Sequence, residues 1–298
     1  IQVDTTYSAS LSVTLNYLYD NANRQISMTD PTGNTVYSYD SVNRLTNITD
    51  PQNNNFSFAY DAGGRRTSLD GAGGISKTYS YDDANRLLEL INRVNGNNLE
   101  TIDYEYDKAG NVIQKTNNEG MHDYGYDAVY RLLSATNDQE DFNYDETGNR
   151  LSDNLQSYTH NVINQITTGS NGLSLNYDNN GNMISKTEDG ITWTYAWSSE
   201  NQLIQASSSE GVIVDYSYDA IGRRVSITSS SSTTQFIYDN QEVLLDYLDG
   251  ALVKRYTNGP NIDEHLALID VVIGASYFYH MDSLGSATAI TDVSGNIV

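Results

Sequence analysis

One two-residue signature, Tyr-Asp, returns along most of this 298-residue chain. A unit that recurs at a steady period restricts a chain to folds made by stacking that unit. Good copies stand at Tyr19-Asp20, Tyr39-Asp40, Tyr60-Asp61, Tyr81-Asp82, Tyr106-Asp107, Tyr126-Asp127, Tyr144-Asp145, Tyr177-Asp178, Tyr218-Asp219 and Tyr238-Asp239. Two worn copies, His160-Asn161 and Trp197-Ser198, fill the gaps and bring the anchors to twelve. The eleven intervals run from sixteen to twenty-five residues, with a mean near twenty.

The unit reads as a hairpin. Tyr37 and Tyr39 alternate with Ser38 and Asp40, and the same alternation recurs at Phe56/Phe58/Tyr60, Tyr79/Tyr81, Tyr104/Tyr106, Tyr124/Tyr126, Tyr195/Trp197 and Tyr216/Tyr218. Period two predicts a strand with one aromatic face, and a ring such as that of Tyr106 is expected to be enclosed there. Asp40 suits the first position of a turn, while Asn43, like Gly110 in its own unit, tolerates a left-handed backbone. Arg44-Leu45 then starts the return strand, so the loop chemistry is close to a type I turn with a bulge. Asp30-Pro31-Thr32-Gly33 is the clearest second turn, and Asp50-Pro51 repeats it. Later units replace it with loops such as Gly71-Ala72-Gly73-Gly74 and Asn95-Gly96-Asn97-Asn98. A single hairpin is marginal in water, so the units must pair side by side into an antiparallel ribbon held by cross-strand aromatic pairs. The expected fold is therefore all-β. Residues 1–240 form the hairpin array, and 241–298 form a C-terminal segment continuous with the same sheet.

Composition narrows the function. Only 38% of residues are apolar, while Tyr numbers 24 and Asn 33. The aromatics argue against disorder, and the abundance of Asn, Gly, Ser, Thr and Tyr argues against long helices. A net charge of −23 repels phosphate backbones and anionic lipids, so neither nucleic acid nor a membrane surface is an expected partner. The longest apolar run, Leu266 to Tyr279, is interrupted by Asp270, so no membrane insertion is expected. The absence of cysteine removes disulfides, thiolate metal sites and a cysteine nucleophile. With no initiator Met at Ile1 and no signal sequence, the chain reads as a processed or excised piece.

Tyr-Asp units of this form resemble the YD-repeat, or Rhs-repeat, family, which includes bacterial Rhs polymorphic toxins, the TcC subunits of insecticidal toxin complexes, wall-associated bacterial proteins and animal teneurins. The likeness covers essentially the whole chain and sharpens after the repeats. Gly259-Pro260-Asn261-Ile262-Asp263-Glu264 is similar to a Gly-Pro-x-Ile-Asp-Glu stretch of the family. The run from Tyr277 to Ser286, with His280, Asp282, Leu284 and Gly285, resembles the Tyr-Tyr-His-x-Asp-x-Leu-Gly-Ser segment of the Rhs core, and Thr291-Asp292-Val293-Ser294-Gly295-Asn296 continues it. The resemblance implies a ribbon that spirals into a hollow β-shell, or an open segment of one, on a secreted or cell-surface bacterial protein. Such a shell encloses or presents a C-terminal polypeptide. The family's aspartyl autocleavage signature, Asp-Pro-x-Gly-x-x-Gly, does not occur here, so no catalytic aspartate carries over.

The residues themselves point away from catalysis. No phosphate-binding Gly-rich loop, His-Glu-x-x-His or Gly-x-Ser-x-Gly motif occurs, and no two of the four histidines have metal-ligand spacing. His122-Asp123 and Glu264-His265 are adjacent pairs, which point to opposite faces of a strand. His280 and Asp282 could share a face, with a structural closing role favoured over a site. One Asp per hairpin, roughly 9–10 Å from the next, cannot supply the six to eight oxygens that calcium needs. The denser runs Asp82-Asp83 and Asp138 to Asp141 read as a solvated rim. No cofactor or metal is therefore expected. The expected partner is a polypeptide, either cargo or a further segment of the same protein. The alternative is a carbohydrate-binding or adhesive module for cell-surface glycans, using aromatics outside the repeat slots: Tyr130, Trp193 and Tyr247.

Overall fold

The computed structural model describes residues 11–136 and 140–298, together with the backbone of 2–8. The acidic run from Asp138 to Asp141 thus begins outside the described residues. Those described form thirty β-strands and one short 3-10 turn, Ala72–Gly74. Strands pair antiparallel with their sequence neighbours, as in Gly33–Tyr39 with Leu45–Thr49 and Ile75–Tyr81 with Leu87–Val94. The fold is all-β and antiparallel, as the repeat requires.

The hairpin loop follows from its residues. The strand Gly33–Tyr39 runs in register until Ser38 faces Asn47, then slips so that Tyr39 faces Leu45. The same slip falls at Tyr19, Tyr60, Tyr81, Tyr126, Tyr177 and Tyr218, and at the worn anchors His160 and Trp197. Each slip is a bulge, and the fourth loop residue adopts a positive φ: 68° at Asn43 and 96° at Gly110. The two second turns differ from each other. Asp30 pairs directly with Gly33 across a tight two-residue turn, with Gly33 at φ 138°, where side chains are disfavoured. Asp50 instead opens a five-residue loop that closes on Asn54, because Asn53 accepts φ 62°.

The chain folds as two compact units. The first comprises Ile1–Tyr104, Thr116–Glu119 and Gln235–Val298. Its strand Leu11–Tyr19 alternates buried and exposed residues almost without exception. Leu11, Val13, Leu15, Tyr17 and Met28 pack against Ile237, Leu244, Leu245 and Tyr247 from the C-terminal strands. A second cluster sets Ile48, Phe56, Phe58, Leu69 and Ile75 against Leu266, Ala267, Ile269 and Phe278. The long apolar run is therefore two core strands, His265–Asp270 and Ala275–Met281. The Asp270 carboxylate accepts the amides of Val272 and Ile273 at the turn between them. Residues 241–298 also supply Glu242–Leu248, Ala251–Asn258 and Ala287–Asp292 to this unit.

The second unit comprises Glu105–Lys115 and Gly120–Thr234. Its strands are often short, for example Asn143–Tyr144, Arg150–Ser152 and Tyr158–His160. Tyr158, Leu173 and Leu175 form a small core, with Ile166, Tyr177 and Met183 against it.

Candidate functional site

The repeated residues form a ladder along the loop rim. Asp40 Oδ1 accepts the amides of Val42 and Arg44 at 3.0 and 2.9 Å, and Oδ2 accepts Arg44 Nε at 2.7 Å. The Arg44 amide and then its guanidinium hold the Asp40 carboxyl below its ordinary range. Arg44 also leaves its own hairpin. Its Nη1 donates to the Asp61 carbonyl at 3.0 Å, and its guanidinium lies 4.9 Å from the Tyr60 ring centre. Tyr60 reaches back, donating its hydroxyl to the Leu45 carbonyl at 2.7 Å. One Asp, one Arg and one Tyr thus close a loop and fasten it to the next.

This arrangement repeats at Arg24 with Tyr39, Arg65 with Tyr81 and Arg131 with Tyr144. Asp20, Asp61, Asp82, Asp127 and Asp219 each accept the arginine four residues on. Where that residue is asparagine, its amide takes over the bond, at Asp107, Asp145 and Asp178. Asn149 and Asn182 also donate to the next loop's asparagine, Asn164 and Asn201. Tyr126, Tyr177 and Tyr218 donate to Val112, Ile166 and Leu203 carbonyls. The worn copies keep the same chemistry with other atoms. Trp197 Nε1 donates to the Met183 carbonyl at 2.8 Å, and Asn161 Oδ1 accepts the amides of Ile163 and Gln165.

Ladder tyrosines such as Tyr39, Tyr60 and Tyr106 are only half-buried, since the ring sits at the rim where its hydroxyl must reach a carbonyl. Tyr19 is more exposed still. In three units the enclosed ring is the aromatic two residues earlier, Tyr17, Phe58 and Tyr104, whereas Tyr37, Tyr79, Tyr124, Tyr195 and Tyr216 are half-buried like their ladder partners. Strand alternation marked both as one face and did not separate rim from core.

Tyr238-Asp239 departs from the ladder. The next residues, Asn240 to Val243, lack the glycine or asparagine at the fourth place and the partner at the fifth. Asp239 ends its strand and accepts the Tyr17 hydroxyl at 2.9 Å, 222 residues away in sequence. Burial raises its carboxyl pKa.

The closing motif also divides. His280 is buried, with Nε2 3.1 Å from Thr291 Oγ1, and burial, aided by Lys77, pushes its pKa down to about 4. Asp282 sits in a loop and accepts the amides of Leu284 and Ser286, with Gly285 at φ 84°. The two are not brought together as a pair, because the strand bulges between His280 and Met281. Asp282 and Asp292 open further loops of the ladder type, a role their Asp-x-x-Gly-Ser and Asp-x-x-Gly-Asn spelling signals.

Buried charges tie the layers of the first unit. Arg255, 1% exposed, donates Nε to Asp30 Oδ2 at 3.2 Å and Nη1 to Thr257 Oγ1 at 2.7 Å, and Thr257 donates on to Asp50 at 3.0 Å. Glu264 receives both Nη atoms of Arg66 and the Asn261 amide. A Cβ at Gly259 would lie 2.4 Å from Glu264 Oε2, which accounts for that glycine. His265, beside it, shares a 2.7 Å hydrogen bond with Asn258 and lies near the Tyr256 and Tyr279 rings. Of the three aromatics outside the repeat slots, Tyr247 is core, Trp193 is half-buried and Tyr130 is 62% exposed. Among the described residues, no three His, Asp or Glu side chains gather as a metal site, and no helix is long and apolar enough to cross a membrane.

Comparison with known proteins matches this geometry. The teneurin YD-shell family profile covers residues 65–298, and the RHS-repeat profile covers 19–54 and 39–76. The tRNA3(Ser)-specific nuclease WapA of Bacillus spizizenii is 30% identical over 196 residues, 64% of this chain and 8% of that protein. The double-stranded DNA deaminase toxin A of Burkholderia cenocepacia is 23% identical over 229 residues, 65% of this chain and 16% of that protein. A Tc holotoxin pore structure from Photorhabdus luminescens superposes with a TM-score of 0.73 at 17% identity, over 96% of this chain and 17% of that one. A TcdB2-TccC3-TEV crystal structure gives 0.71 at 17% identity, over 98% of this chain and 18% of that one. The chain therefore spans only a small part of each of these proteins.

Proposed function

Because this chain belongs to the teneurin YD-shell family, we propose that it is a non-catalytic wall segment of a secreted or cell-surface β-shell that encloses or presents a polypeptide. The observation that carries the reading is the ladder. Each hairpin closes on itself through its Asp and is fastened to the next through Arg and Tyr, so the wall grows by addition of like units. The acidic side chains most often repeated are committed to their own loop amides, which suits a structural role better than chemistry. In this reading the activities in the relatives' names lie in other parts of those proteins. No specific observation favours the glycan-binding alternative, and Tyr247, one of its three aromatics, is buried.

The test joins this chain to the polypeptide encoded after it in the same gene and follows proteolysis of that polypeptide. Survival at least roughly tenfold longer than for the polypeptide alone is expected. Equal digestion, or a gene that encodes no such polypeptide, rejects enclosure. Saturable polysaccharide binding by the isolated chain alongside equal digestion moves the assignment to an adhesive module.

A further inference from the structure

A cleft of about 390 Å³ opens in the first unit between the loops 261–264 and 282–285. Arg66, Lys77 and Tyr79 line its inner part. Lys77 points to the core side of its strand, opposite Leu69 and Asn92, and is only 3% exposed. Its ammonium nitrogen is not among the fully enclosed polar atoms that lack a hydrogen bond, so it keeps access to the cleft, where a carboxylate would meet it largely shielded from bulk water. Among the described residues Lys77 has neither a hydrogen bond nor an ion pair. Glu264, whose negative charge acts on Lys77, is already engaged by both Arg66 nitrogens and the Asn261 amide. Burial lowers the Lys77 pKa to about 8, which leaves the amine mostly cationic at neutral pH.

The mouth has a different character. Asp263 and Asp282 stand there, and Asp282 is turned to its own loop amides. These carboxylates disfavour a free inorganic anion. Ile262 and Leu284 flank the opening at 88% and 89% exposure, two apolar lips around a cationic floor. An occupant that satisfies both carries a carboxylate for Lys77 and apolar groups for the lips, with enough contact to outweigh the acidic rim.

We propose that this cleft is a socket for a polypeptide segment bearing one carboxylate between apolar side chains, with the carboxylate paired to Lys77 and its neighbours on Ile262 and Leu284. The socket adds a point of grip to the wall assignment and rests on that assignment only for the origin of the segment. Its test involves no proteolysis, so either idea can fail alone. Acetyl-Leu-Asp-Leu-amide and its Asn counterpart are titrated calorimetrically into the full chain and into Lys77→Met. The Asp peptide is expected to bind, and both the Asn peptide and Lys77→Met are expected to weaken binding roughly tenfold or more. The melting temperature of Lys77→Met should not fall, since the lost amine makes no hydrogen bond in the fold. If that variant does not fold, Ile262→Ser with Leu284→Ser, both at exposed positions, should weaken the Asp peptide instead. No binding of the Asp peptide at millimolar concentration, equal binding of the two peptides, or unchanged affinity in the variant that folds overturns the socket.

Discussion

The two units use the same hairpin and hold it together differently. Among the described residues, all twelve of the largest fully buried side chains, from Leu15 and Phe56 to Arg255 and Phe278, belong to the first unit. There the inner faces of N-terminal and C-terminal strands meet, and contacts such as Arg255 with Asp30 join residues 225 apart. The second unit has the small cluster around Tyr158, and its ladder bonds run from one repeat to the next, as in Tyr144 to Leu132. Ladder chemistry is more mixed as well: the second unit keeps Arg131 and Arg223 but has Asn111, Asn149 and Asn182 where the first unit has Arg24, Arg44, Arg65 and Arg86. One local motif thus serves two regimes, a core closed by distant strands and a ribbon secured by nearest neighbours.

The largest expected contrast is between two arginines. Arg255→Ala leaves the buried Asp30 carboxylate with only its Thr32 hydrogen bonds and no counter-charge, and should cost ~3–5 kcal/mol. Arg131→Ala removes a rim ion pair, a ring contact and a bond to the Asp145 carbonyl, all partly exposed, and should cost about 1–2 kcal/mol. Urea unfolding of both variants measures the difference, and equal losses would break the comparison. An intermediate effect is expected from Trp197→Phe, which keeps the ring and deletes the donor to the Met183 carbonyl. A loss of roughly 0.5–1.5 kcal/mol would sharpen the ladder's share in the second unit, and no loss would remove Trp197 from it.

The smallest contrast is in acid. Asp127, Asp145 and Asp178 of the second unit are held below the ordinary 3.8 by their loop hydrogen bonds. A carboxyl lowered in the folded state stabilises above its unfolded pKa, and that stability is lost as pH falls through the folded value. Loop hydrogen bonds likewise lower Asp20, Asp40 and Asp61 in the first unit, but burial raises Asp239 and Asp246 there. Their contribution has the opposite sign: it is full below the unfolded pKa and lost as pH rises through the folded one. Acidification from about pH 5 to pH 2 should therefore weaken the second unit first. Both tryptophans, Trp193 and Trp197, lie in that unit. Their fluorescence should change at a higher pH than the far-ultraviolet circular dichroism of the whole chain, and coincident transitions would count against the assignment.

Loops and strands were legible because their causes are local. Asp40, Asn43 and Arg44 lie within five residues, so spacing alone predicts the loop, its left-handed fourth residue and the bulge beside Tyr39. The same rule, applied to Asp-x-x-Gly, also finds Asp282 and Asp292. It fails at Asp239, where the residues that would close the loop are missing and Tyr17 takes the carboxylate instead. It is silent on Arg255, Lys77 and Glu264, which look like ordinary alternating strand or loop positions.

What the sequence by itself determined was the antiparallel hairpin ribbon, its register and its rim, since turn geometry and period-two alternation act over a few bonds. Only the tertiary structure decided that Tyr17, Phe58 and Tyr104 are enclosed, which carboxylates meet Arg255 and Arg66, and that Lys77 sits at the inner end of a cleft without a hydrogen bond. Those outcomes depend on which strand face comes to lie against which, and short-range chemistry carries no record of a partner some two hundred residues away.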